Sequence, residues 1–395
     1  MATVVLRSGR VKPIFLGHPW VFAQAIAKVE GAPAAGDSVA VRDPKGNFLG
    51  RGFYSPKSAI AVRILTRHED ETLDALAIAQ RIEAAAALRG ALGLPDEATT
   101  GYRLINAEGD RLPGLIVDRF GDVAVMQIGT AGMRRHRDAI AAELVRVTGV
   151  ESVIAAAVDQ ERDEGFVDEE AVLRGPEPSE LRFRERAFEL ALPRSLAQKT
   201  GYYLDQRRTR ARVESLVRTA KLERVLDLYS YVGTVAMAAA RGGAERVLAV
   251  DRSATAIAVG ATLAQHHELA IEHRCEDVKR LLPDLKRAKE RFDLVVVDPP
   301  KLVPTRKHLD RGARAYGKLN AEAMSLVRDG GFLVSCSCSA AMDGQRFRRT
   351  LAAAARKVGR ELVLLEHAGL PLDHPTPIAF PEGRYLDVVL ARIVR

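Results

Sequence analysis

The segment Phe292-Asp-Leu-Val-Val-Val-Asp298-Pro299-Pro300 decides the fold of the second half of the chain. It is a continuous apolar run, which is typical of a strand buried on both faces of a parallel sheet. The run ends in a carboxylate and two prolines, and prolines cannot donate hydrogen bonds to a neighbouring strand. After a basic loop and a predicted helix at residues 319–328, a second such strand ends in two thiols: Asp329-Gly-Gly-Phe-Leu-Val-Ser335-Cys336-Ser337-Cys338-Ser339. Ligands of open α/β sheets bind at the carboxyl ends of strands, so we expect Asp298 and Cys338 to share one crevice.

Strands and helices alternate from residue 194 onward, which predicts a doubly wound, Rossmann-like parallel sheet. Carboxylates close four successive predicted strands, at Asp227, Asp251, Asp277 and Asp298. Asp251 lies 24 residues after Asp227, a spacing that suits a carboxylate holding ribose hydroxyls, and Asp277 is placed to approach an adenine. The first turn, Leu228-Tyr-Ser-Tyr-Val-Gly233, lacks the glycines that a pyrophosphate requires. A cofactor with a ribose and no phosphates fits better, and S-adenosylmethionine (AdoMet) is the usual one.

The whole chain is predicted to be an α/β protein with further parts before this sheet. Residues 1–70 form a β-rich unit with ten Lys and Arg against five Asp and Glu, a net charge of +5. Residues 71–93 are Ala-rich with helical spacing of apolar positions and predict a helical connector. Residues 94–190 predict a middle α/β domain, to which we assign no chemistry and whose acidic stretch 159–164 we expect to be a solvated loop. Residues 191–395 form the cofactor-binding domain.

Composition narrows the class of protein further. An apolar content of 47% is ordinary for a globular chain, and no apolar run approaches the ~20 residues that span a bilayer. The N-terminus has no signal-peptide pattern and three cysteines do not make a disulfide framework, so we expect a reducing cytoplasm. The formal net charge of +8 favours a polyanionic partner.

Motifs along the whole chain resemble those of the bacterial large-subunit ribosomal RNA cytosine methyltransferases, which carry an RNA-binding PUA domain, a middle α/β domain and a C-terminal AdoMet-dependent domain. The motifs that carry the resemblance are His18-Pro-Trp-Val-Phe22, Tyr102-Arg-Leu-Ile-Asn-Ala-Glu108, Lys199-Thr-Gly-Tyr-Tyr-Leu-Asp-Gln-Arg207, Asp227-Leu-Tyr-Ser-Tyr231 with Gly233, Val297-Asp-Pro-Pro300, Ser337-Cys338-Ser339, and Asp373-His-Pro375 with Phe380-Pro-Glu-Gly-Arg-Tyr385. The Lys199–Arg207 block is the most specific of these. In the PUA-like unit we expect Trp20 and Phe22 to fill the barrel core and exposed Arg and Lys side chains to contact RNA.

The resemblance implies roles for individual residues. Cys338 would be the nucleophile, with Asp298 as the second catalytic residue. The cofactor-binding residues would be Asp227, Tyr229, Ser230, Gly233, Asp251, Arg252, Asp277, Asp205 and Gln206. The substrate-binding residues would be Pro299, Pro300, Lys301, Lys199, Tyr202 and Arg207. The partner would be 23S ribosomal RNA or a large-subunit precursor, bound by a single chain or a homodimer, with no metal and no membrane involved.

Cytosine methylation explains why these residue types occur together. Carbon 5 of cytosine is a poor nucleophile, and addition of a thiolate to carbon 6 gives an enamine-like ring whose carbon 5 can attack a methyl group. A thiolate needs a basic, partly open site, and the stretch Lys301–Lys318 holds six Lys and Arg against one Asp. Asp298, protonated or hydrogen-bonded at ring N3, would stabilise the developing charge. The sequence does not identify the base that removes the carbon 5 hydrogen.

Alternatives stay open for the function and for the thiols. The same features suit AdoMet-dependent methylation of a purine ring or exocyclic nitrogen, although exocyclic-amine enzymes usually place an aromatic residue where this chain has Lys301. A non-catalytic RNA-binding assembly factor would need none of the acidic strand ends. Cys336 and Cys338 are two residues apart in a strand and are predicted to point to one face. We expect Cys336 to be a core residue and assign Cys275 a structural role.

Overall fold

The structure of the protein is a computed structural model that describes residues 2–196 and 201–395. Lys199, a predicted substrate-binding residue, lies outside the described residues. The chain forms two compact units. Unit 1 comprises Met1–Leu204 and Leu372–Gly383, and unit 2 comprises Asp205–Pro371 and Arg384–Arg395. Within the described ranges, no helix has the length and apolar character needed to cross a membrane.

The N-terminal part of unit 1 is a six-stranded sheet. Its elements are β1 (Thr3–Leu6), α1 (Val11–Phe15), β2 (Trp20–Phe22), β3 (Ile26–Glu30), β4 (Ser38–Arg42), β5 (Phe48–Tyr54) and β6 (Ile60–Thr66). The strand order is β2-β6-β5-β4-β1-β3, with β1 and β4 parallel and the other neighbours antiparallel. A turn at residues 44–47 joins β4 to β5, and the Asp43 carboxylate stabilises it by accepting hydrogen bonds from the backbone N–H groups of Lys45 (2.8 Å) and Asn47 (2.9 Å).

The prediction that Trp20 and Phe22 fill the core of this sheet is wrong. Successive side chains of a strand point to opposite faces, and in β2 only Val21 is buried in the core. The Trp20 ring instead packs edge-on against Phe380, with 4.6 Å between ring centroids. Its indole N–H donates a hydrogen bond to Glu108 Oε1 at 2.7 Å. The aromatic residues therefore join β2 to distant parts of the chain.

The middle part of unit 1 is a five-stranded sheet in the order β13-β10-β9-β8-β7, with small hairpins beside it. Its elements are α2 (Ala75–Ala91), β7 (Gly101–Asn106), β8 (Leu115–Phe120), β9 (Val123–Ile128), α3 (Ala131–Arg134), α4 (Arg137–Thr148), β10 (Ser152–Ala155), β11 (Val158–Asp159), β12 (Val167–Asp168), β13 (Ala171–Arg174), β14 (Glu180–Glu185) and β15 (Phe188–Pro193). Asp74 caps α2, since its carboxylate accepts a hydrogen bond from the Ala77 backbone N–H at 2.9 Å. The predicted connector is therefore a helix that packs on this sheet.

The acidic stretch 159–164 is not wholly solvated, contrary to prediction. The Glu164 side chain is fully buried and forms an ion pair with Arg63, with 2.7 Å between nitrogen and oxygen. It also accepts hydrogen bonds from the Ser55 hydroxyl at 2.8 Å and the Ala131 backbone N–H at 3.0 Å. Arg63 and Ser55 belong to the N-terminal part, so Glu164 ties the two parts of unit 1 together. Breaking one partner of such a buried pair costs about 3–5 kcal/mol.

The segment Leu372–Gly383 packs within unit 1, although unit 2 flanks it in sequence. The Asn106 side-chain amide donates a hydrogen bond to the Pro375 carbonyl at 2.8 Å. The His18 ring lies 3.2 Å from the Glu382 carboxylate, measured from Nε2 to Oε2. Three motifs that carry the family resemblance, distant in sequence, are thus held together in unit 1.

Unit 2 is built on a seven-stranded sheet in the order β18-β17-β16-β19-β20-β22-β21. Its elements are α5 (Arg207–Ala220), β16 (Arg224–Leu228), α6 (Thr234–Arg241), β17 (Arg246–Asp251), α7 (Ala254–His266), β18 (Ile271–Cys275), α8 (Val278–Arg287), β19 (Phe292–Val297), α9 (Leu309–Met324), β20 (Val327–Ser337), α10 (Gly344–Lys357), β21 (Glu361–Ala368) and β22 (Asp387–Val394). Strands β16 to β20 are parallel, and β22 pairs antiparallel with β20 and β21. The predicted doubly wound fold is confirmed.

Strand β19 shows why its sequence is continuously apolar. Val295 and Val297 pack into the apolar cluster on one face of the sheet, and Leu294 and Val296 pack into the cluster on the other face. All four side chains are fully buried. Because both faces of this part of the strand are covered, apolar residues are favoured at all four positions.

The helix after β19 begins earlier than predicted. The loop ends at His308, and α9 starts at Leu309, ten residues before the predicted helix at residue 319. Gly312, Tyr316 and Leu319 are buried at helical spacing, so the first turns of α9 already pack on the sheet. The basic residues between these positions concealed the period in the sequence.

Candidate active site

The four predicted strand-end carboxylates lie along one edge of the unit 2 sheet. Asp227 is the second-last residue of β16 and Asp251 the last of β17. Asp277 follows β18 by two residues, and Asp298 comes directly after β19. These four strands are neighbours in the order β18-β17-β16-β19, so their carboxyl ends meet at a single edge.

The turn after β16 is strained and held by carboxylates. Tyr229, Tyr231 and Gly233 have φ angles of 63°, 52° and 72°, in the left-handed region that residues other than glycine rarely adopt. Asp227 Oδ2 accepts a hydrogen bond from the Ala236 backbone N–H at 3.1 Å. The Ser230 hydroxyl is buried in this turn and makes no hydrogen bond with the described residues. A buried hydroxyl without a partner is costly, so the turn fits a polar ligand.

Asp251 shapes the same turn from the next strand. Its Oδ2 accepts a hydrogen bond from the Tyr231 backbone N–H at 3.0 Å, and its Oδ1 accepts one from Ser253 at 2.9 Å. A carboxylate has about four acceptor positions, so these bonds leave capacity for ribose hydroxyls. Asp251 is half-buried and Arg252 beside it is exposed. The remaining acceptor positions of Asp251 thus fit the hydroxyl groups of the AdoMet ribose.

Asp277 lies next to Tyr229 at the outer part of this edge. Asp277 is exposed and caps α8, accepting a hydrogen bond from the Lys279 backbone N–H at 2.8 Å. Burial raises the pKa of Tyr229 to about 12, and the Asp277 carboxylate adds to that rise. The phenol therefore stays neutral and offers an uncharged ring beside a carboxylate. These are suitable groups for an adenine.

Asp298 is the chemically unusual carboxylate. Burial and, to a lesser extent, the nearby Asp205 carboxylate raise its pKa to about 7, while the Gln206 amide opposes the shift. The Gln206 Nε2 donates to Asp298 Oδ2 at 2.8 Å, and its Oε1 accepts a hydrogen bond from the Thr209 hydroxyl at 2.6 Å. Near neutral pH Asp298 is therefore distributed between a proton-donating and a charged form.

Arg210 is a site residue that sequence reasoning missed. It is the fourth residue of α5 and is buried, with 3% of its surface exposed. Its charge lowers the pKa of both Asp227 and Asp298, although burial dominates and raises the pKa of Asp227 to about 8. The arginine-rich start of α5 was a signal, since only Arg210 in that run falls on the buried face. It is the buried cation among several carboxylates.

The two thiols have different environments, and Cys336 is a core residue, as expected. Strand β20 ends at Ser337, so Cys336 lies in the strand whereas Cys338 lies beyond it. Cys336 is completely buried, and burial raises the pKa of its thiol. Cys338 is half-exposed, and its Sγ lies 4.0 Å from the Pro299 carbonyl oxygen. Cys338 therefore lies beside the segment that carries Asp298.

Buried hydroxyl groups fix the end of β20 on either side of the thiols. The Ser335 hydroxyl donates to Asn320 Oδ1 at 2.7 Å. The Ser339 hydroxyl lies 3.2 Å from the Tyr316 hydroxyl and accepts a hydrogen bond from the Val303 backbone N–H at 3.3 Å. These bonds hold the strand end against α9 and the preceding loop. The position of Cys338 is thereby determined by its neighbours.

The predicted substrate-binding residues lie in several places. Pro299 is buried, whereas Pro300 and Lys301 are exposed at the start of the basic stretch. Tyr202 belongs to unit 1, where its buried ring packs against Phe183 with 5.2 Å between centroids. Arg207 is half-exposed as the first residue of α5. Their contact with a substrate stays a prediction.

The basic stretch carries an exposed set of charges. Its six cationic side chains are Lys301, Arg306, Lys307, Arg311, Arg314 and Lys318, and all are exposed. Within the described part of the chain none of the six forms an ion pair, since the one acidic residue, Asp310, pairs with Arg346. Solvated cations of this kind attract a polyanion and support a thiolate.

Known proteins are similar in sequence to this chain over almost its whole length. Residues 4–67 match a PUA-like domain model, and residues 175–375 match the model of an S-adenosylmethionine-dependent methyltransferase. The ribosomal RNA large subunit methyltransferase I of Alteromonas mediterranea is 35% identical over 400 residues, covering 99% of each chain. That of Shewanella frigidimarina is 37% identical over 396 residues, again covering 99% of each chain. The chain belongs to the ribosomal RNA large subunit methyltransferase I family. The predicted cofactor, AdoMet, and the predicted methyltransferase activity are therefore confirmed.

Solved structures share the fold of this family member. A SAM-dependent methyltransferase from Streptococcus mutans has a TM-score of 0.84 at 20% identity, covering 99% of this chain and 100% of that chain. A methyltransferase solved in complex with SAH has a TM-score of 0.85 at 20% identity, with the same coverage. The predicted α/β architecture with a Rossmann-like C-terminal sheet is confirmed.

Proposed function

We propose that this protein methylates carbon 5 of a cytosine in 23S ribosomal RNA, with Cys338 as the nucleophile. The observation that carries the proposal is the pairing of a half-exposed thiol with Asp298 at neighbouring strand ends. The names of its relatives, which are large-subunit ribosomal RNA methyltransferases, support the choice of RNA. A purine nitrogen would need no thiol at this position. The free cysteines and the need for a reduced nucleophile support a cytoplasmic site of action.

The proposed mechanism divides the work between Cys338 and Asp298. The Cys338 thiolate adds to carbon 6, and protonated Asp298 donates a hydrogen bond to ring N3, where negative charge develops. AdoMet, when bound, supplies an electrophilic methyl group to carbon 5. The raised pKa of Asp298, about 7, keeps a useful fraction of the carboxyl group protonated near neutral pH. Pro299 and Pro300 would fix the backbone beside the base.

The cofactor is proposed to lie along the ends of β16, β17 and β18. Asp251 and Arg252 would hold the ribose, and Tyr229 with Asp277 would hold the adenine. The Ser230 hydroxyl, buried and unpartnered among the described residues, would bond the methionine end beside Asp227 and Gly233. Gly233 is needed there because its φ of 72° disfavours a side chain, and a Cβ would lie 3.3 Å from His273 Nε2.

RNA binding is proposed to be mainly electrostatic. In the PUA-like part, Arg63 and Arg67 serve the fold: Arg63 pairs with Glu164, and Arg67 donates hydrogen bonds to backbone carbonyl groups. The exposed cations left to meet phosphates there include Arg10, Lys12, Lys45 and Lys57. With the basic stretch of unit 2 they would give an affinity that falls steeply with salt. An affinity that did not change between low and physiological salt would contradict this.

Homodimer formation stays a prediction with one structural argument behind it. Strand β21 is an edge of the unit 2 sheet, and its Val363, Leu364 and Leu365 are 49%, 49% and 48% exposed. An exposed apolar edge strand favours pairing with another strand. Light scattering of the purified protein measures this directly, and a mass of 43.0 kDa would show a single chain.

Nucleoside analysis and trapping test the proposed reaction. Ribosomal RNA lacking the modification is incubated with the protein and AdoMet, digested and examined by mass spectrometry for 5-methylcytidine. In parallel, RNA containing 5-fluorocytosine should form a covalent adduct that survives a denaturing gel. A base can remove hydrogen from carbon 5 but cannot remove fluorine, so the thiolate is not released. A methyl group found on a purine nitrogen, with no adduct, would replace this proposal by the alternative reaction. AdoMet binding without any methyl transfer would support the assembly-factor interpretation.

A further inference from the structure

The proposed reaction needs a base that the sequence did not reveal. After methyl transfer, carbon 5 carries both the methyl group and its original hydrogen, and Cys338 remains bonded to carbon 6. A base must take that hydrogen before the thiolate can leave. The identity of this base rests on the proposed function, and a side chain close to Asp298 and Cys338 is required.

The carboxylates on the cofactor side of the sheet edge, at the ends of β16, β17 and β18, have roles in the turns and in the proposed cofactor site. Asp251 uses both oxygens for the backbone N–H groups of Tyr231 and Ser253. Asp227 is 1% exposed and accepts a hydrogen bond from the start of α6, and Asp277 caps α8. On the thiol side, Asp298 is the proposed acid.

Asp205 differs from these carboxylates. It directly precedes Gln206, whose amide donates a hydrogen bond to Asp298 at 2.8 Å. Its Oδ2 accepts a hydrogen bond from the Tyr385 hydroxyl at 2.9 Å. Its Oδ1 is buried and accepts no hydrogen bond from any residue that the structure describes. A carboxylate fixed at one oxygen and unpartnered at the other is arranged to receive a proton, directly or through one water.

We propose that Asp205 is the base that removes the carbon 5 hydrogen, and that Tyr385 is the positioning residue that orients its carboxylate. The family resemblance implied a cofactor contact for Asp205; its position beside Gln206 and Asp298 gives it a role on the substrate side. Tyr385 closes a motif of the resemblance to which the proposed function gave no role. It lies in unit 2, just before β22, and its hydroxyl reaches Asp205 across 180 residues of sequence.

The proposed step balances in atoms and charge. Addition forms a bond between Cys338 Sγ and carbon 6, and carbon 5 then takes the methyl group as the bond from that methyl to the sulfonium sulfur breaks. The Asp205 carboxylate next accepts the proton from carbon 5. The electron pair of that C–H bond re-forms the double bond between carbons 5 and 6 and expels the Cys338 thiolate. Asp205 ends protonated and returns its proton to water.

Electrostatics supports dividing acid and base between the two carboxylates. The Asp205 carboxylate is a cause of the raised pKa of Asp298, after burial. Two carboxyl groups that crowd each other share one proton more readily than they both ionise. Asp298 can then carry the proton that N3 requires, and Asp205, with one oxygen unpartnered among the described residues, is placed to accept the proton from carbon 5.

Asp205→Asn provides the test, because loss of the base stops the reaction after the covalent bond has formed. On ordinary cytosine RNA with radiolabelled methyl AdoMet, this variant should accumulate a labelled protein–RNA adduct on a denaturing gel, which the parent protein does not. Release of methylated RNA should fall by about 10²-fold or more. AdoMet affinity, measured by calorimetry, should stay within about twofold of the parent, since the amide preserves the shape of the side chain.

Matched variants make the result decisive. Tyr385→Phe removes the orienting hydroxyl and should give a weaker version of the same adduct, while Asp205→Glu should restore part of the release. Asp284→Asn, the same substitution at an exposed position of α8, should behave as the parent. If Asp205→Asn fails to fold, as shown by its thermal melt, Tyr385→Phe and Asp205→Glu decide the question.

Two outcomes would overturn the assignment. Normal product release by Asp205→Asn would show that another group is the base. Loss of AdoMet affinity without an adduct would return Asp205 to the cofactor site. The parent protein with 5-fluorocytosine RNA is the control for the proposed function: if it forms no adduct, the cytosine reaction itself fails. If it does and Asp205→Asn accumulates nothing, only this inference fails.

Discussion

Aspartates lie on both sides of the unit 2 sheet edge, the proposed cofactor side and the side that carries the thiol, but they have different roles there. At the ends of β17 and β18, Asp251 and Asp277 accept hydrogen bonds from backbone N–H groups and so build the turns that would surround the cofactor. At the ends of β19 and β20, Asp298 stands with Asp205 and the thiol of Cys338, and its pKa is raised to about 7. Both regions lie on neighbouring strands of one sheet.

The difference shows what makes a carboxylate reactive here. Asp251 and Asp277 accept hydrogen bonds from backbone N–H groups and so have a structural role in the turns. Burial and a second carboxylate destabilise the charged form of Asp298, so it can hold and give up a proton near neutral pH. Arg210 opposes this effect, since its charge lowers the pKa of both Asp227 and Asp298.

The largest expected effect separates the two thiols. Cys338→Ala should reduce methylation by at least about 10³-fold and abolish the adduct with 5-fluorocytosine RNA, because the nucleophile is lost. AdoMet affinity should hardly change. Cys336→Ala is the matched control and should retain most activity, with a loss of stability, because its buried thiol acts as a small apolar group. Crosslinking by Cys338→Ala but not by Cys336→Ala would show that the other sulfur is the nucleophile.

Asp298→Asn should reduce methylation by about 10²–10³-fold, the usual cost of losing one donor to developing charge. The pH profile gives a sharper test. An acid with a raised pKa keeps its proton up to that pKa, so parent activity that needs protonated Asp298 should fall as pH rises through about 7. An amide donates at every pH, and the residual activity of Asp298→Asn should not show this fall. If the residual activity of Asp298→Asn still falls as pH rises through about 7, another group causes that fall.

Asp251→Ala tests the cofactor side. Losing a charged partner of the ribose and of the Tyr231 turn should weaken AdoMet binding by roughly 1–3 kcal/mol, about 5- to 150-fold. Calorimetry with AdoMet measures this, and Asp284→Asn serves as the control for a surface carboxylate. An undiminished affinity would remove Asp251 from the cofactor site. Adduct formation through Cys338 with saturating AdoMet should persist in this variant.

A last expected effect concerns stability and leaves the reaction aside: a change in how stability depends on pH. The pKa of Asp227 is about 8 in the folded protein and near 3.8 when exposed, mainly because of burial. Between these values the folded state holds one proton more than the unfolded state, so the free energy of unfolding should fall as pH rises from about 4 to 8 and level off above. Asp227→Asn should flatten this slope in urea titrations without cofactor. An identical slope in the variant would mean that Asp227 does not titrate in this range.

Patterns of period and spacing predicted much of unit 2. The continuous apolar run of β19 has a single explanation, burial on both faces, and the strand-end carboxylates follow from parallel topology. The predicted start of α9 lies too far along the sequence, because Arg311 and Arg314 interrupt the apolar positions of its first turns. In unit 1 the alternation of β2 was available in the sequence, yet Trp20 was assigned to the wrong face because its partner, Phe380, lies 360 residues away.

Local period and strand order predicted the doubly wound sheet, the order of the acidic strand ends and the position of Asp298 beside a strand that carries two thiols. The tertiary structure shows how the two thiols differ in exposure, since β20 ends between Cys336 and Cys338. It also placed Arg210 among the carboxylates and joined Tyr385 to Asp205. Such properties arise from burial and from contacts between residues far apart in the chain, which no local pattern records.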